Sequence, residues 1–264
     1  MDVTVRGCGP AAPFLSAQDI FETACDLTNP VTVSVREDPD ERTRVRHTDR
    51  EHELIISRHA ATSAMARELA LHEYAHMHHH EQEHPSHTQS TKEAIFLALA
   101  GHSVERRKLT HCYQIANHLK DIYADDLWLS VAPADKLVSF LESSLATALA
   151  TKPHTKPPLE GTSDDVSQPA TPLSRRTPTP DPDITAVNAA FALGLVERHD
   201  LVDTDHRLYD LAGAAAADAP TVDFETFNDR FRSLSPNPDK SEYRKILVEL
   251  TELYAGNDRR QAAD

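Results

Sequence analysis

The sequence predicts an α+β fold, mostly helical, with a small antiparallel sheet packed on a helical core. Three observations carry this. Extended segments are read within residues 31–57, where Val31-Thr32-Val33-Ser34-Val35 alternates with period two and Glu53-Leu54-Ile55-Ile56-Ser57 reads as a second strand. Apolar residues recur at three- and four-residue spacings through most of the remaining chain, the helical period. Residues 151–183 fit neither pattern: crowded with Pro, Thr, Ser and Asp, they cannot bury enough surface to order themselves.

In chain order, Ser16 reads as the N-cap of a short amphipathic helix over 16–28 that ends before Pro30. The strand at 31–35 follows, then a turn containing Pro39, a weaker strand at 43–47 and a stronger one at 53–57. From Ala60 to His80 the period becomes helical, with Met65, Leu69, His72 and His76 on one face. Pro85 and Ser86 mark a loop, and Thr91 reads as the cap of a helix reaching Lys108. Further helices are expected at 111–129 and 134–150, then at 184–198, 206–216, 223–231 and 241–254. The organisation expected is a core at 1–150, a disordered linker or insertion at 151–183, and a helical C-terminal region at 184–264.

Of the 264 residues, 39% are hydrophobic and 26% charged, which suits a folded core, and the formal net charge is −15. No basic stripe interrupts the acidity, so nucleic acid is not expected as a partner. Lysine is scarce and the acidic residues are spread along the chain, a surface suited to concentrated salt, where self-repulsion is screened. A halophilic cytoplasm is the expected habitat. The three cysteines, Cys8, Cys25 and Cys112, are far apart and form no CxxC pair, as in reduced thiols of a cytoplasmic protein. The first residues lack the basic and apolar regions of a signal peptide, and the longest apolar run, residues 94–100, is far short of a bilayer span. No membrane partner is expected.

The chemistry concentrates at His72-Glu73-Tyr74-Ala75-His76. Residues four apart stack on one helix face, so His72 and His76 can direct two imidazole nitrogens at one zinc ion. Glu73 then stands where a carboxylate can accept a proton from an attacking water, the general base of a metallopeptidase. A second match, His80-Glu81-Gln82-Glu83-His84, has wholly polar surroundings and runs into Pro85; it reads as the solvated end of the helix, and His78-His79-His80 as its flexible polar extension. A catalytic zinc needs a third protein ligand. Asp121-Ile122-Tyr123-Ala124-Asp125 offers two carboxylates on one face with Asn117 a turn earlier, so that one acid can bind metal while the other orients a ligand histidine. Glu105 and Glu93 are fallback ligands, and a plain acidic face formed by Asp121, Asp125 and Asp126 is the structural alternative.

His72-Glu73-Tyr74-Ala75-His76 followed by Asp121-x-x-Ala124-Asp125 resembles the gluzincin zinc peptidases, in particular the M48-like pattern of HExxH followed by Glu-x-x-Ala-Asp. The resemblance covers residues 16–130. It implies a zincin-type core of motif helix and third-ligand helix, Zn2+ as cofactor, a peptide or protein substrate, Asp121 as third ligand and Asp125 as its supporting acid. It also implies that the strand at 53–57 holds substrate by edge pairing. Asp121 departs from the family's glutamate by one methylene, so the two helices must approach more closely. That departure keeps open a second expectation, a non-catalytic zinc-binding regulatory or interaction module that retains the motif helix.

Overall fold

The computed structural model describes residues 1–101, 103–151 and 181–256. Four strands form one sheet: β1 (Val3–Gly7), β2 (Val31–Arg36), β3 (Arg44–His47) and β4 (His52–Ser57), in the order β1-β2-β4-β3. The α+β, mostly helical class expected from the sequence is the class found. The sheet itself is mixed, not antiparallel: β1 pairs parallel with β2 and β2 with β4, and only β3 runs antiparallel to β4. The parallel pairing of β1 and β2 is possible because α1 (Ala12–Phe21) connects them. With β2 on one side and β3 on the other, β4 is an inner strand, and residues 53–55 are already paired on both sides, so they cannot take a substrate by edge pairing; the edge strands are β1 and β3.

Helix α1 begins at Ala12, with Pro13 in its first turn, and stops at Phe21, several residues earlier than the sequence suggested; Ser16 lies inside it and caps nothing. After β4, the Ser57 side chain accepts from the Ala60 backbone N–H and starts the one-turn helix α2 (Arg58–Ala61). The motif helix α3 (Ala66–Glu81) follows, burying Ala70, Leu71, Tyr74, Ala75 and Met77. On one side it packs against α1, where the Tyr74 hydroxyl donates to the Phe14 carbonyl at 3.2 Å. The short helix α4 (Pro85–Thr88) turns the chain into α5 (Thr91–Ala98), capped by Ser90 rather than Thr91. The single helix expected from Lys92 to Lys108 is two, because Gly101 takes the left-handed conformation (φ +77) between α5 and α6 (Arg106–Leu129).

Helix α6 is the long central element, packed against the other side of α3 and followed by α7 (Asp135–Ala150). Most of the expected linker lies outside the described residues. Its last three residues instead begin α8 (Pro182–Arg198): the Asp181 side chain caps the Asp183 N–H, and Pro182 opens the first turn. Helices α9 (Arg207–Asp218), α10 (Phe224–Arg232) and α11 (Lys240–Gly256) complete the chain. They do not stand apart. Helices α8 and α11 pack on α6, and one hydrophobic core runs from Phe14 to Tyr254. A bidentate ion pair of Arg198 with Asp126, both contacts at 2.7 Å, ties α8 to α6. No helix among the described residues is long and apolar enough to cross a membrane.

Candidate metal centre

Helices α3 and α6 face each other along the line where their functional side chains stand. His72 and His76 are one turn apart on α3, and their Nε2 atoms lie 3.0 Å from one another. From α6, Asp121 Oδ1 lies 3.3 Å from His76 Nε2 and 3.7 Å from His72 Nε2. Tetrahedral zinc with bonds of about 2.0–2.2 Å spaces its ligand atoms roughly 3.3–3.6 Å apart. The His76–Asp121 spacing falls in that range, the His72–Asp121 spacing lies just above it, and the two histidine nitrogens stand closer together than a bound ion would hold them. Among the described residues this is the group of three with the geometry to hold one.

The outer nitrogens decide what the inner ones can be. His72 Nδ1 is 2.7 Å from Asp125 Oδ1, and the same oxygen accepts from the buried Trp128 indole at 2.7 Å. A carboxylate accepts only, so His72 Nδ1 carries the proton and Nε2 presents a lone pair unless it too is protonated. His76 Nδ1 is 2.8 Å from His87 Nε2, His87 Nδ1 is 2.8 Å from the Ser86 hydroxyl, and that hydroxyl is 2.7 Å from His84 Nδ1. The Ser86 backbone N–H also points at His84 Nδ1, which makes that nitrogen an acceptor. Read back along the chain, His76 donates from Nδ1 and offers Nε2 as a lone pair. Were both rings neutral, two lone pairs would meet at 3.0 Å beside an anionic oxygen; a proton on His72 Nε2 donated to His76 Nε2, or a metal cation in its place, relieves that arrangement.

In the metal-free protein the electrostatics favour the proton. Burial alone would depress the His72 pKa, but the Asp125 charge and hydrogen bond, with Asp121 and Glu73 behind them, hold it up at about 10. Burial works against the charge of Asp121, yet His118, His76 and His72 keep its carboxyl well below the usual carboxylate range. Glu73, one residue past His72, has its pKa raised by burial, against the opposing pull of His72 and His76. It forms no hydrogen bond or ion pair among the described residues, so its carboxyl group is free to take a proton.

The site residues expected from the sequence divide cleanly. His72, His76 and Asp121 converge, and Asp125 supports His72 as the spacing suggested. Asn117 does not belong to the site: it is exposed on the flank of α6 shared with Tyr113, and His118 takes the inner position. Glu105 stands exposed just before α6, where its side chain makes no capping hydrogen bond, and Glu93 sits exposed on α5, so neither reaches the cluster. The plain acidic face fails as well, since Asp121, Asp125 and Asp126 are each engaged by histidine, tryptophan or arginine. The second HExxH match lies at the helix end, with His80, Gln82 and Glu83 exposed as expected, but its other side chains are tied down. Glu81 accepts from the backbone N–H groups of Thr28 and Asn29 at 2.7 and 2.8 Å and pairs with His52 at 3.0 Å. His78, His79 and His80 are likewise held, by the Asp26 carbonyl, the Tyr123 carbonyl and a stacked His47 ring.

Two participants escaped the sequence reading. His118 lies three residues before Asp121, a spacing that could have singled it out; its Nε2 meets the Asn188 side-chain oxygen at 2.8 Å. Its Nδ1 is buried without a hydrogen bond, 3.7 Å from Asp121 Oδ2. His87 sits on α4, and no pattern in the sequence connects it to His76.

A family described only as of unknown function, DUF5781, matches residues 1–256. The chain belongs to that family. No curated protein matches the chain, and no solved structure does. The match spans both the core and the helical C-terminal region of this DUF5781 protein, in keeping with the continuous core that joins them.

Proposed function

We propose that this protein is a zinc-dependent hydrolase of peptide bonds, with His72, His76 and Asp121 as the metal ligands and Glu73 as general base. The observation that carries the reading is the convergence of His72 Nε2, His76 Nε2 and Asp121 Oδ1 within 3.0–3.7 Å of one another, with the outer nitrogen of each imidazole held by a partner. A zinc ion held by these three groups would supply Lewis acidity, acidifying water and polarising a carbonyl. The chain's own residues do the rest. Asp125 holds the His72 ring through Nδ1, and His87 holds the His76 ring in the same way, so neither ligand can swing away. Glu73 receives the proton of the attacking water and passes it to the departing amine. Its raised pKa favours both halves of that shuttle, because a carboxyl group titrating nearer neutrality both takes and returns a proton readily. The likeness of residues 16–130 to the gluzincins points to amide bonds rather than other substrates.

The test is metal content together with hydrolysis by the full chain. Zinc is expected at about one per chain after dialysis against a weak chelator, with cleavage within a broad peptide library at high salt. Glu73→Gln should retain the zinc and lose the cleavage. Stoichiometric zinc with no peptide cleaved by the unsubstituted protein would turn the reading towards a non-catalytic zinc module.

A further inference from the structure

We infer that the metal centre serves substrates carrying an extended, uncharged apolar group next to the scissile carbonyl, and that this group seats in the cavity between α3, α6, α7 and α8. The inference rests on the hydrolase reading for the word substrate; the cavity stands independently of it.

A cavity of about 580 Å³ adjoins the cluster, with His72, Asp121 and Asp125 in its lining. The rest of its wall is largely apolar, built by Leu69, Trp128, Leu141, Leu145, Phe191 and Leu195 among others. Its volume lies in the middle of the range of ligand cavities, roughly 300–1,000 Å³. An apolar cavity of about 150 Å³ is enough for a benzene ring, so this one has room for more than one side chain. A straight chain of eight carbons, or two neighbouring apolar side chains, matches it better.

The charges on the wall narrow the class further. No Arg or Lys lines the cavity among the described residues, so nothing there compensates an anionic tail. Its other acid, Glu68, is taken up by Arg67 at 2.6 Å and Lys136 at 3.2 Å. Gln114 and His118 both give their hydrogen bonds to Asn188. The polar groups away from the cluster are thus largely engaged with one another, and a ligand gains there mainly by displacing water from apolar wall. Such a group can come from an acyl chain or from apolar peptide side chains; the chemistry is shared.

The chain's single tryptophan, Trp128, lines the cavity and reports on its contents by fluorescence. Two hydroxamate series titrated into the zinc-loaded full-length protein separate the sources: straight-chain compounds from two to eight carbons, and capped dipeptide compounds from Ala-Ala to Leu-Phe. Octanamide, which needs no metal, is titrated into the metal-free protein. At least one series should tighten tenfold or more with apolar length, since each fully buried methylene is worth about fourfold, and octanamide should bind while acetamide does not. The series that tightens names the source. Ala192→Phe, within the wall, and Ser144→Phe, at an exposed position on it, should each weaken the longest ligand of that series about tenfold. Thermal unfolding verifies that both variants fold. Flat affinities in both series with no octanamide binding, in protein that holds its zinc, would overturn the inference. Octanamide binding by protein that takes up no zinc would keep the cavity and sink the hydrolase reading instead.

Discussion

The chain carries the same five-residue pattern twice, eight residues apart, and folds the two copies in opposite ways. His72 and His76 lie within an unbroken stretch of α3 and turn their Nε2 atoms to one point with Asp121. His80 and His84 straddle the helix end. Gln82 is the C-cap, Glu83 takes the left-handed conformation at φ +51, and His84 N–H bonds back to the His79 carbonyl at 2.9 Å. With Glu83 N–H bonding the His80 carbonyl, this is a Schellman closure built on a residue that is not glycine. The four-residue stacking that makes the pattern a metal site requires helix throughout. One residue with positive φ removes it, and the second copy becomes structural: His84 caps α4 and Glu81 holds the approach to β2. The lesson is that HExxH is an instruction to a helix, not a site in itself.

The comparison is broken most directly by removing histidines of each copy one at a time. His72→Ala or His76→Ala should abolish stoichiometric zinc, while His80→Ala should leave about one zinc per chain in metal analysis. Equal loss from both copies would show that the metal responds to the histidine-rich stretch as a whole.

The two glutamates sharpen the contrast. Glu73→Gln should cut peptide hydrolysis by a factor on the order of 10²–10⁴, with the urea midpoint little changed. Glu81→Gln should do the reverse, because its carboxylate takes two backbone N–H groups and His52 in a nearly buried setting. The expected cost is about 1.5–3 kcal/mol of stability, with turnover per folded molecule preserved. A Glu81→Gln protein of unchanged stability would mean those contacts carry no net energy.

Much of this was legible in the sequence, for definite reasons. The amphipathic period and the polar breaks located nearly every helix, and the i, i+4 spacing of His72, His76 and of Asp121, Asp125 located the centre, since helical spacing is a local property. What failed was non-local or hinged on a single backbone angle. Parallel pairing of β1 with β2 needs partners 28 residues apart along the chain, from Val3 to Val31, and leaves no local signature. The break at Gly101 rests on one left-handed residue, whereas the end of the motif helix, expected at His80, falls at Glu81. Asn117 and His118 differ by one step of 100° around α6, finer than spacing alone resolves. His87 comes from another helix altogether.

Acid and base should also separate the two histidine groups. Burial, with His80 and His52 near His47 and with His79 near His84, lowers the pKa of each to about 4. A histidine depressed in the folded state contributes stability that is complete above pH 6.5 and is lost as pH falls towards 4. His72 is opposite in sign: held at about 10, it stabilises the metal-free fold fully below pH 6.5, and that contribution fades as pH rises towards 10. Urea midpoints of metal-free protein should therefore peak near pH 6.5 and fall on both sides, each limb on the order of 1 kcal/mol after solvent screening. Zinc should flatten the alkaline limb only, because a ligated His72 no longer depends on its proton. An alkaline limb unaffected by zinc would place the metal elsewhere.

The smallest expected effect tests the cause of the difference between the copies. A non-glycine residue in the left-handed region costs about 1 kcal/mol, part of which glycine gives back through the entropy of the unfolded chain. Glu83→Gly should accordingly raise stability by roughly 0.5 kcal/mol in urea unfolding without altering zinc content. Glu83→Ala removes the carboxylate and keeps the steric penalty, so it should give no such gain. If alanine stabilises as much as glycine, relief of charge in this acidic chain, and not the backbone angle, is what ends α3 between its two histidine pairs.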